Sequence, residues 1–263
     1  MKVFLSLVVF VAMVFVSAPS VAEVVQPIGA APQVLIPAAG NVNGQNGTFF
    51  RSDITIVNLR NSDQIVFLEW LPQPGATPTS TSIMIHALSG IRSSDFVHDY
   101  LNTTGLGAIV VTAVTQPIAE AIDVNGRLFV SSRIWTPQPS TTGTTSQNLS
   151  TIPLSTINTP AAAIFGAGGA DSPSDYRVNV GIVNVDASRT QTFVVAFSST
   201  QATTVVLPPR TMQQVSSIGA FTGQQILISN VSTNGSNLWT AYASTINNVT
   251  GDAWSELAVA GTQ

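Results

Sequence analysis

The strongest constraint on this chain is that it repeats itself. Phe50-Arg-Ser-Asp-Ile-Thr-Ile-Val-Asn-Leu59 lines up with Tyr176-Arg-Val-Asn-Val-Gly-Ile-Val-Asn-Val185 at an offset of 126. Arg51/Arg177, Ile56/Ile182, Val57/Val183 and Asn58/Asn184 match, and the offset continues without a gap to Phe67/Phe193. Shorter offsets then bring Ser82-Ile-Met-Ile85 onto Thr204-Val-Val-Leu207 and Ile109-Val-Val-Thr112 onto Ile226-Leu-Ile-Ser229. Asn125-Gly126 falls on Asn234-Gly235, and Ser132 and Ile134 fall on Ser244 and Ile246. Conserved order with gaps confined to loops is the signature of a duplicated unit, and each unit must bury its own core.

Both copies read as strands. Ile54-Thr-Ile-Val and Val178-Asn-Val-Gly-Ile-Val are β-branched and partly alternating, the pattern of half-buried strands. Ala121-Ile-Asp-Val and Arg127-Leu-Phe-Val flank Asn125-Gly126, which predicts a hairpin with a type I′ turn. The second copy repeats this between Ile226-Leu-Ile-Ser and Leu238-Trp-Thr-Ala. No segment sustains a 3.6-residue apolar period. Ser93 to Leu101 is the best helical candidate, at one or two turns. The expected fold is all-β: two tandem antiparallel β-sandwich domains, immunoglobulin-like or related. The boundaries are 1–22 for a signal peptide, 23–148 for the first sandwich and 149–263 for the second. The join falls within the Thr/Ser-rich stretch from Thr136 to Pro160, which reads alternatively as a long loop of the first domain.

Composition narrows the function. Charged residues are 8% and there is no Cys. That excludes disulfides, thiolate metal sites and Cys nucleophiles. It leaves no basic patch for neutralising nucleic-acid phosphates. Lys2 is the only lysine. It opens a secretory signal: Val3 to Val16 is apolar and shorter than the ~20 residues that span a bilayer. Ser20-Val21-Ala22 offers a cleavage site before Glu23. The mature chain then has no lysine and no stable membrane insertion. A Schiff-base or P-loop lysine is excluded from it. The expected location is secreted or at the cell surface, the periplasm included.

The motif residues also carry a resemblance. Tyr176-Arg-Val-Asn-Val-Gly-Ile-Val-Asn184, followed by Ala241-Tyr-Ala-Ser-Thr-Ile-Asn-Asn-Val-Thr-Gly-Asp252, is similar to a module of uncharacterised secreted bacterial proteins. Asn46-Gly-Thr-Phe-Phe-Arg-Ser-Asp53 resembles the opening of the companion copy. The resemblance covers most of residues 34–263 and implies secretion and tandem β-sandwiches. It carries no assigned activity, so no site residue comes with it. The first copy departs from it at Ser131-Ser-Arg-Ile-Trp135, which lacks the Asn-x-Thr-Gly-Asp ending.

Candidate chemistry is sparse. Asp95, His98 and Asp99, with Ser93 and Ser94, form the one compact acid–His cluster. A carboxylate-oriented His can act as a general base, but a triad needs distant segments to converge. The bland reading is a polar loop. His86 and His98 are too few for a zinc site. Calcium would take Asp171 with Asp175, or the Asn41-Val-Asn-Gly-Gln-Asn46 loop, although Asn and Asp in Gly-rich loops are commonly turn formers. Arg51 and Arg177, at equivalent positions, read as structural, with Asp53 on the same strand face as Arg51. Asn58 and Asn184 read as strand terminators. Trp70, Trp135, Trp239 and Trp254 could stack on a sugar or simply pack the core; Trp254 alone reads as exposed. Asn46, Asn102, Asn148, Asn230, Asn234 and Asn248 begin glycosylation sequons, relevant only in a glycosylating host.

The expectation is a non-catalytic secreted or surface protein with an interaction or extracellular structural role and a protein or glycan ligand. No catalytic, cofactor or metal residue is assigned. One alternative is a polymer subunit that donates Glu23 to Pro37 to a neighbour's sheet edge. Against it, that segment's prolines interrupt pairing and it reads equally as an edge strand of the first domain. The other is a carbohydrate-binding module, or a hydrolase using Asp95, His98 and Glu69.

Overall fold

The computed structural model describes residues 29–44, 47–138, 142–169, 173–217, 221 and 225–261. Residues 1–28, which include the segment expected to be a signal, lie outside them. No helix among the described residues is long and apolar enough to cross a membrane.

The chain is all-β, and every strand pairing is antiparallel. The N-terminal sheet contains β1 (Gln33–Asn43), β2 (Phe49–Asn58), β3 (Gln64–Pro72), β4 (Thr79–Ile85), β5 (Gly90–Ser93), β6 (Gly105–Val114), β7 (Leu128–Pro137), β8 (Thr144–Leu149) and β9 (Ile152–Pro153). One short helix, α1 (Phe96–Leu101), sits between β5 and β6. The strand order is β4-β3-β6-β1-β2-β7-β8, with β5 on β2 and β9 on β1. Strand β1 links the two layers. Its register shifts between Ile36 and Ala39, around Pro37. Before the shift it pairs with β9, and after it with β2. A bulge bends a strand in this way. Residues 33–37 therefore lie inside this chain's own sheet, with β6 on one flank.

Two further sheets follow. One holds β10 (Ala161–Phe165), β12 (Gln191–Ala196), β13 (Ala202–Leu207), β15 (Gln225–Asn230) and β18 (Val259–Gly261), ordered β13-β12-β15-β10-β18. The other holds β11 (Tyr176–Asn184), β14 (Thr211–Ser216), β16 (Trp239–Asn247) and β17 (Ala253–Leu257), ordered β14-β11-β16-β17. Adding nine to each strand number turns the N-terminal pairings β4-β3-β6-β1-β9 and β5-β2-β7-β8 into these two orders.

Alternation makes the layers. Ile54 and Ile56 point inward from β2, as Val178, Val180 and Ile182 do from β11. They meet inward residues of the opposite layer, among them Ile36, Val66 and Leu68 in the first sandwich and Phe193, Val195 and Ile228 in the second. Trp70 and Trp239 are fully buried in these cores. Phe96 and Val97 of α1 join the first core.

The ladders correct three parts of the sequence alignment. Gln64 faces Ile85, and Gln191 faces Leu207, at the start of β3 and β12. This puts Val66, not Phe67, in the place of Phe193. Val66 and Phe193 are buried, whereas Phe67 is only half-buried. Likewise Thr55 faces Ser131 and Gly181 faces Tyr242, so Ser131 takes the place of Tyr242 and Arg133 that of Ser244. A one-residue slip exchanges the two faces of a strand, and burial decides the register. The Asn-Gly hairpins do not form. Residues 121–124 are no strand, and β7 pairs with β2 and β8 instead. Strands β15 and β16 lie in different sheets. Neither Asn-Gly pair takes a positive φ. Gly126 serves close approach: a Cβ there would stand 2.2 Å from the Ala113 Cβ.

The Thr/Ser-rich stretch 136–160 is largely structured. It supplies the end of β7, then β8 and β9, all in the N-terminal sheet. A third apolar cluster joins the two sandwiches. Leu35, Leu71, Ala108 and Val110 pack with Val183, Met212 and Tyr242. Each such side chain, fully buried, contributes about 1.5–3 kcal/mol, so the cluster holds the sandwiches together.

Asp186 anchors the turn after β11. Burial pushes its carboxyl upward. Hydrogen bonds from the Ser188 N–H, the Ser236 hydroxyl, the Arg189 N–H and the Ser188 hydroxyl outweigh this and hold it at about 2. A depressed acid stabilises the fold above its unfolded pKa and ceases to do so as pH falls through the folded value. Asp186 should therefore contribute about 2 kcal/mol at neutral pH, lost between about pH 4 and 2. Urea titrations across that range should show a shallower acid loss in Asp186→Asn than in the wild type. Equal slopes would contradict this role.

Candidate functional site

The acid–His cluster forms at the N-terminus of α1, but its connections are in the wrong order for catalysis. The Ser93 hydroxyl donates to Asp99 Oδ2. His98 Nδ1 lies 3.1 Å from Asp99 Oδ1. Asp99 thus stands between the hydroxyl and the imidazole, whereas an activated serine needs the imidazole in the middle. The Ser93 bond, and then His98, hold the Asp99 carboxyl below its usual range, and burial opposes them weakly. His98 is exposed. Asp95 turns the other way, accepting Asn41 Nδ2 at 2.8 and 3.0 Å and pairing with Arg51 Nε at 3.2 Å. Glu69 sits at the contact between the sandwiches, 3.6 Å from Arg210 Nε. Burial there raises its carboxyl pKa, and Arg210 partly offsets the rise. No hydrogen bond or ion pair joins Glu69 to Asp95 or His98.

The calcium candidates fall largely outside the described residues. Asp171, Gln45 and Asn46 lie outside the described residues, and Asn41 is committed to Asp95. Among the described residues no three His, Asp or Glu side chains gather as a metal would require. The tryptophans do not form a platform either. Trp70 and Trp239 are core residues. Trp135 donates its indole N–H to Ser94 O, and its ring faces Arg51. Trp254, expected to be exposed, is half-buried, edge-on to Tyr176, with its N–H on Gly166 O.

The two repeated arginines behave differently. Arg51 faces Trp135 across the β2–β7 ladder, and Arg177 faces Ile246 across β11–β16. Arg51 is fully engaged: Asp95 holds its Nε, and its guanidinium lies 4.7 Å from the Phe49 ring centre and 5.4 Å from that of Trp135. Its neighbour Asp53 is buried and takes two other arginines, Arg92 at 2.8 and 2.7 Å and Arg133 at 2.8 Å. The Arg92 bond chiefly, against burial and with Arg133 assisting, keeps the Asp53 carboxyl below its usual range. Arg177 has no carboxylate partner among the described residues. It donates to Asn248 Oδ1, and desolvation lowers its pKa. A guanidinium stays charged through such a change.

Arg177 opens onto a cleft of about 350 Å³ between the sandwiches. Phe50, Ile134 and Gln147 line one side, and Ile246, Asn248 and Thr250 the other. Among the described residues of the lining Arg177 is the only ionised side chain, and no Asp or Glu contributes. The walls are held by bonds from edge strand β8 to β16, to edge strand β17 and to the turn between them. Gln147 Nε2 donates to Trp254 O at 2.9 Å and accepts from Ser244 Oγ at 2.8 Å. Thr145 Oγ1 reaches Gly251 O at 2.6 Å, and Ser255 Oγ reaches Asn148 O at 2.5 Å. The volume and the mixed lining are those of a small-ligand pocket. Sequence reasoning read Arg177 as structural because Arg51 repeats it. A signal existed: Asp95, which neutralises Arg51, follows β5, whereas residues 217–224 after β14 contain no acid.

No family model, no curated protein and no solved structure matches the chain.

Proposed function

We propose that this is a secreted, non-catalytic binding protein, two β-sandwich domains descended from an internal duplication, which holds a small anionic ligand between them. The observation that carries this reading is Arg177, a partly desolvated guanidinium in a preformed cleft, with neither a carboxylate partner nor an acid in the lining among the described residues. A guanidinium in such a setting recognises a carboxylate or comparable anion by charge-assisted hydrogen bonds. The hydroxyls and amides around it suit a glycan or a peptide end, and Phe50, Ile134 and Ile246 offer apolar contact. The N-terminal signal pattern supports export. The broken Ser93–Asp99–His98 order supports a non-catalytic role. The internal placement of residues 33–37 speaks against donation of that segment to another subunit.

Titration calorimetry with paired neutral and uronic-acid sugars, and with short peptides bearing a free or an amidated C-terminus, tests the reading. Binding confined to the acidic partner of a pair, and weakened about tenfold or more in Arg177→Gln, is expected, since charge-assisted bonds contribute about 1.5–3 kcal/mol. His98→Ala should bind as the wild type does. Binding indifferent to both the ligand charge and Arg177 would overturn the reading. So would a hydrolytic activity abolished by His98→Ala.

A further inference from the structure

The outer face of the sheet β13-β12-β15-β10-β18 is apolar and, among the described residues, uncovered and free of charge. Leu227 is 46% exposed, Phe165 52%, Val206 54% and Val259 60%. Ala163 and Val194 lie between them on the same face. The remaining outward positions of these strands are small or polar, such as Thr192, Thr204 and Gln225, and none is ionised. Scattered exposed apolar residues are ordinary, but a contiguous apolar sheet face is not.

The N-terminal sandwich shows what this face is for. By ladder position Leu227 corresponds to Val110, since Val110 faces Leu35 and Leu227 faces Ala163. Val259 corresponds to Ile152 by the same reasoning. Val110 and Leu35 are buried and Ile152 is partly buried, all in the cluster that joins the two sandwiches. The same face of the same sheet is thus covered in the first sandwich and bare in the second.

In the first sandwich the cover is the outer face of the second sandwich's other sheet, with Val183, Met212, Gly181 and Tyr242. The equivalent face of the first sandwich cannot repeat that service. Thr55 stands where Gly181 does, Arg92 where Gln214 does, and Arg133 where Ser244 does, with Asp53 beside them. Head-to-tail stacking would bury these ions against an apolar sheet, a costly desolvation. A charge-free face is best matched by itself.

We infer that two copies of this chain associate through this face about a two-fold axis, giving a closed dimer and not a filament. An isologous contact closes and stops growth. Five strands spaced ~4.8 Å apart, each about five residues of ~3.4 Å, span a face of roughly 400 Å² per copy. That is about 800 Å² for the pair, below the ~1,200 Å² at which stable specific complexes begin and in the range of weak, transient contacts, so the dimer dissociates on dilution. It goes beyond the binding reading and does not depend on it, because the Arg177 cleft lies on a different sheet.

Light scattering of the purified secreted chain across a dilution series tests it. A mass rising to twice the monomer and stopping there is expected. Leu227→Lys and Val206→Lys should each give the monomer mass at every concentration, and should melt with the wild type at the dilution where both are monomeric, as evidence of intact folding. Arg92→Glu should leave the dimer in place if it remains folded. A monomer throughout overturns the inference. So does a dimer that survives both lysine substitutions, or growth into filaments.

Discussion

Tyr242→Ala should destabilise this protein by about 3–5 kcal/mol, the range for removing a large buried aromatic side chain. Tyr242 is 1% exposed and lies at the centre of the cluster between the sandwiches. Its ring covers Gly181 of the neighbouring strand so closely that a Cβ at 181 would stand 2.0 Å from the ring. Burial pushes the phenol pKa well up, and the side chain of Gln214 approaches the hydroxyl. The hydroxyl nevertheless lacks a partner in hydrogen-bond geometry. Tyr242→Phe should therefore be nearly neutral or slightly stabilising, because removing an unpaired buried polar group relieves its desolvation cost. The damage in Tyr242→Ala should fall on the contact between the sandwiches. Calorimetry should show a single transition resolving toward two. Equal losses in the Ala and Phe variants would sink this account, because they would place the energy in the hydroxyl.

Asn184→Asp should be more damaging than Asn184→Ala. Asn184 is fully buried at the end of β11. Its Nδ2 donates to the carbonyls of Arg189, Leu207 and Pro208 at 2.8, 3.1 and 2.9 Å. Its Oδ1 accepts the Asp186 N–H and Gln191 Nε2 at 3.1 and 2.7 Å. Alanine leaves these groups unsatisfied, at about 1–3 kcal/mol for each buried group that water cannot reach. Aspartate also sets a carboxylate against three carbonyl oxygens in a dry site. Urea denaturation at neutral pH should rank wild type, Ala, then Asp. The Asp variant should recover part of its loss on acidification, as protonation of the new carboxyl restores one donor. Asn58 makes the same three-carbonyl arrangement with Ser62, Ile85 and His86, so the ranking should repeat there.

Asn58 and Asn184 show how much the sequence could reveal. Both stand out as repeated polar residues ending apolar strands, and a strand-end role is legible from that alone. Two of the three carbonyl partners of each are not, because they come from the chain 23 to 28 residues further on. The Asn-Gly pairs misled for a related reason. Their local chemistry suits a tight turn, but the flanking segments find better partners in opposite layers, and tertiary pairing outweighs turn preference. The one-residue errors at Phe67 and Ser132 have the same root. Side-chain identity matched there, whereas the face each residue occupies is set by its neighbours across the ladder.

That this chain builds antiparallel β-sheets was already legible in its residue pattern. Alternating β-branched runs, turn residues and the lack of any helical period are local properties with one physical solution. Composition also excluded thiol chemistry. Which of two matching arginines is neutralised, where the buried tyrosine clamps the sandwiches, and which sheet face is left bare were settled by packing. Those outcomes depend on what an opposing strand or sheet places opposite a residue, and neither burial nor charge pairing is a property of a residue and its sequence neighbours alone.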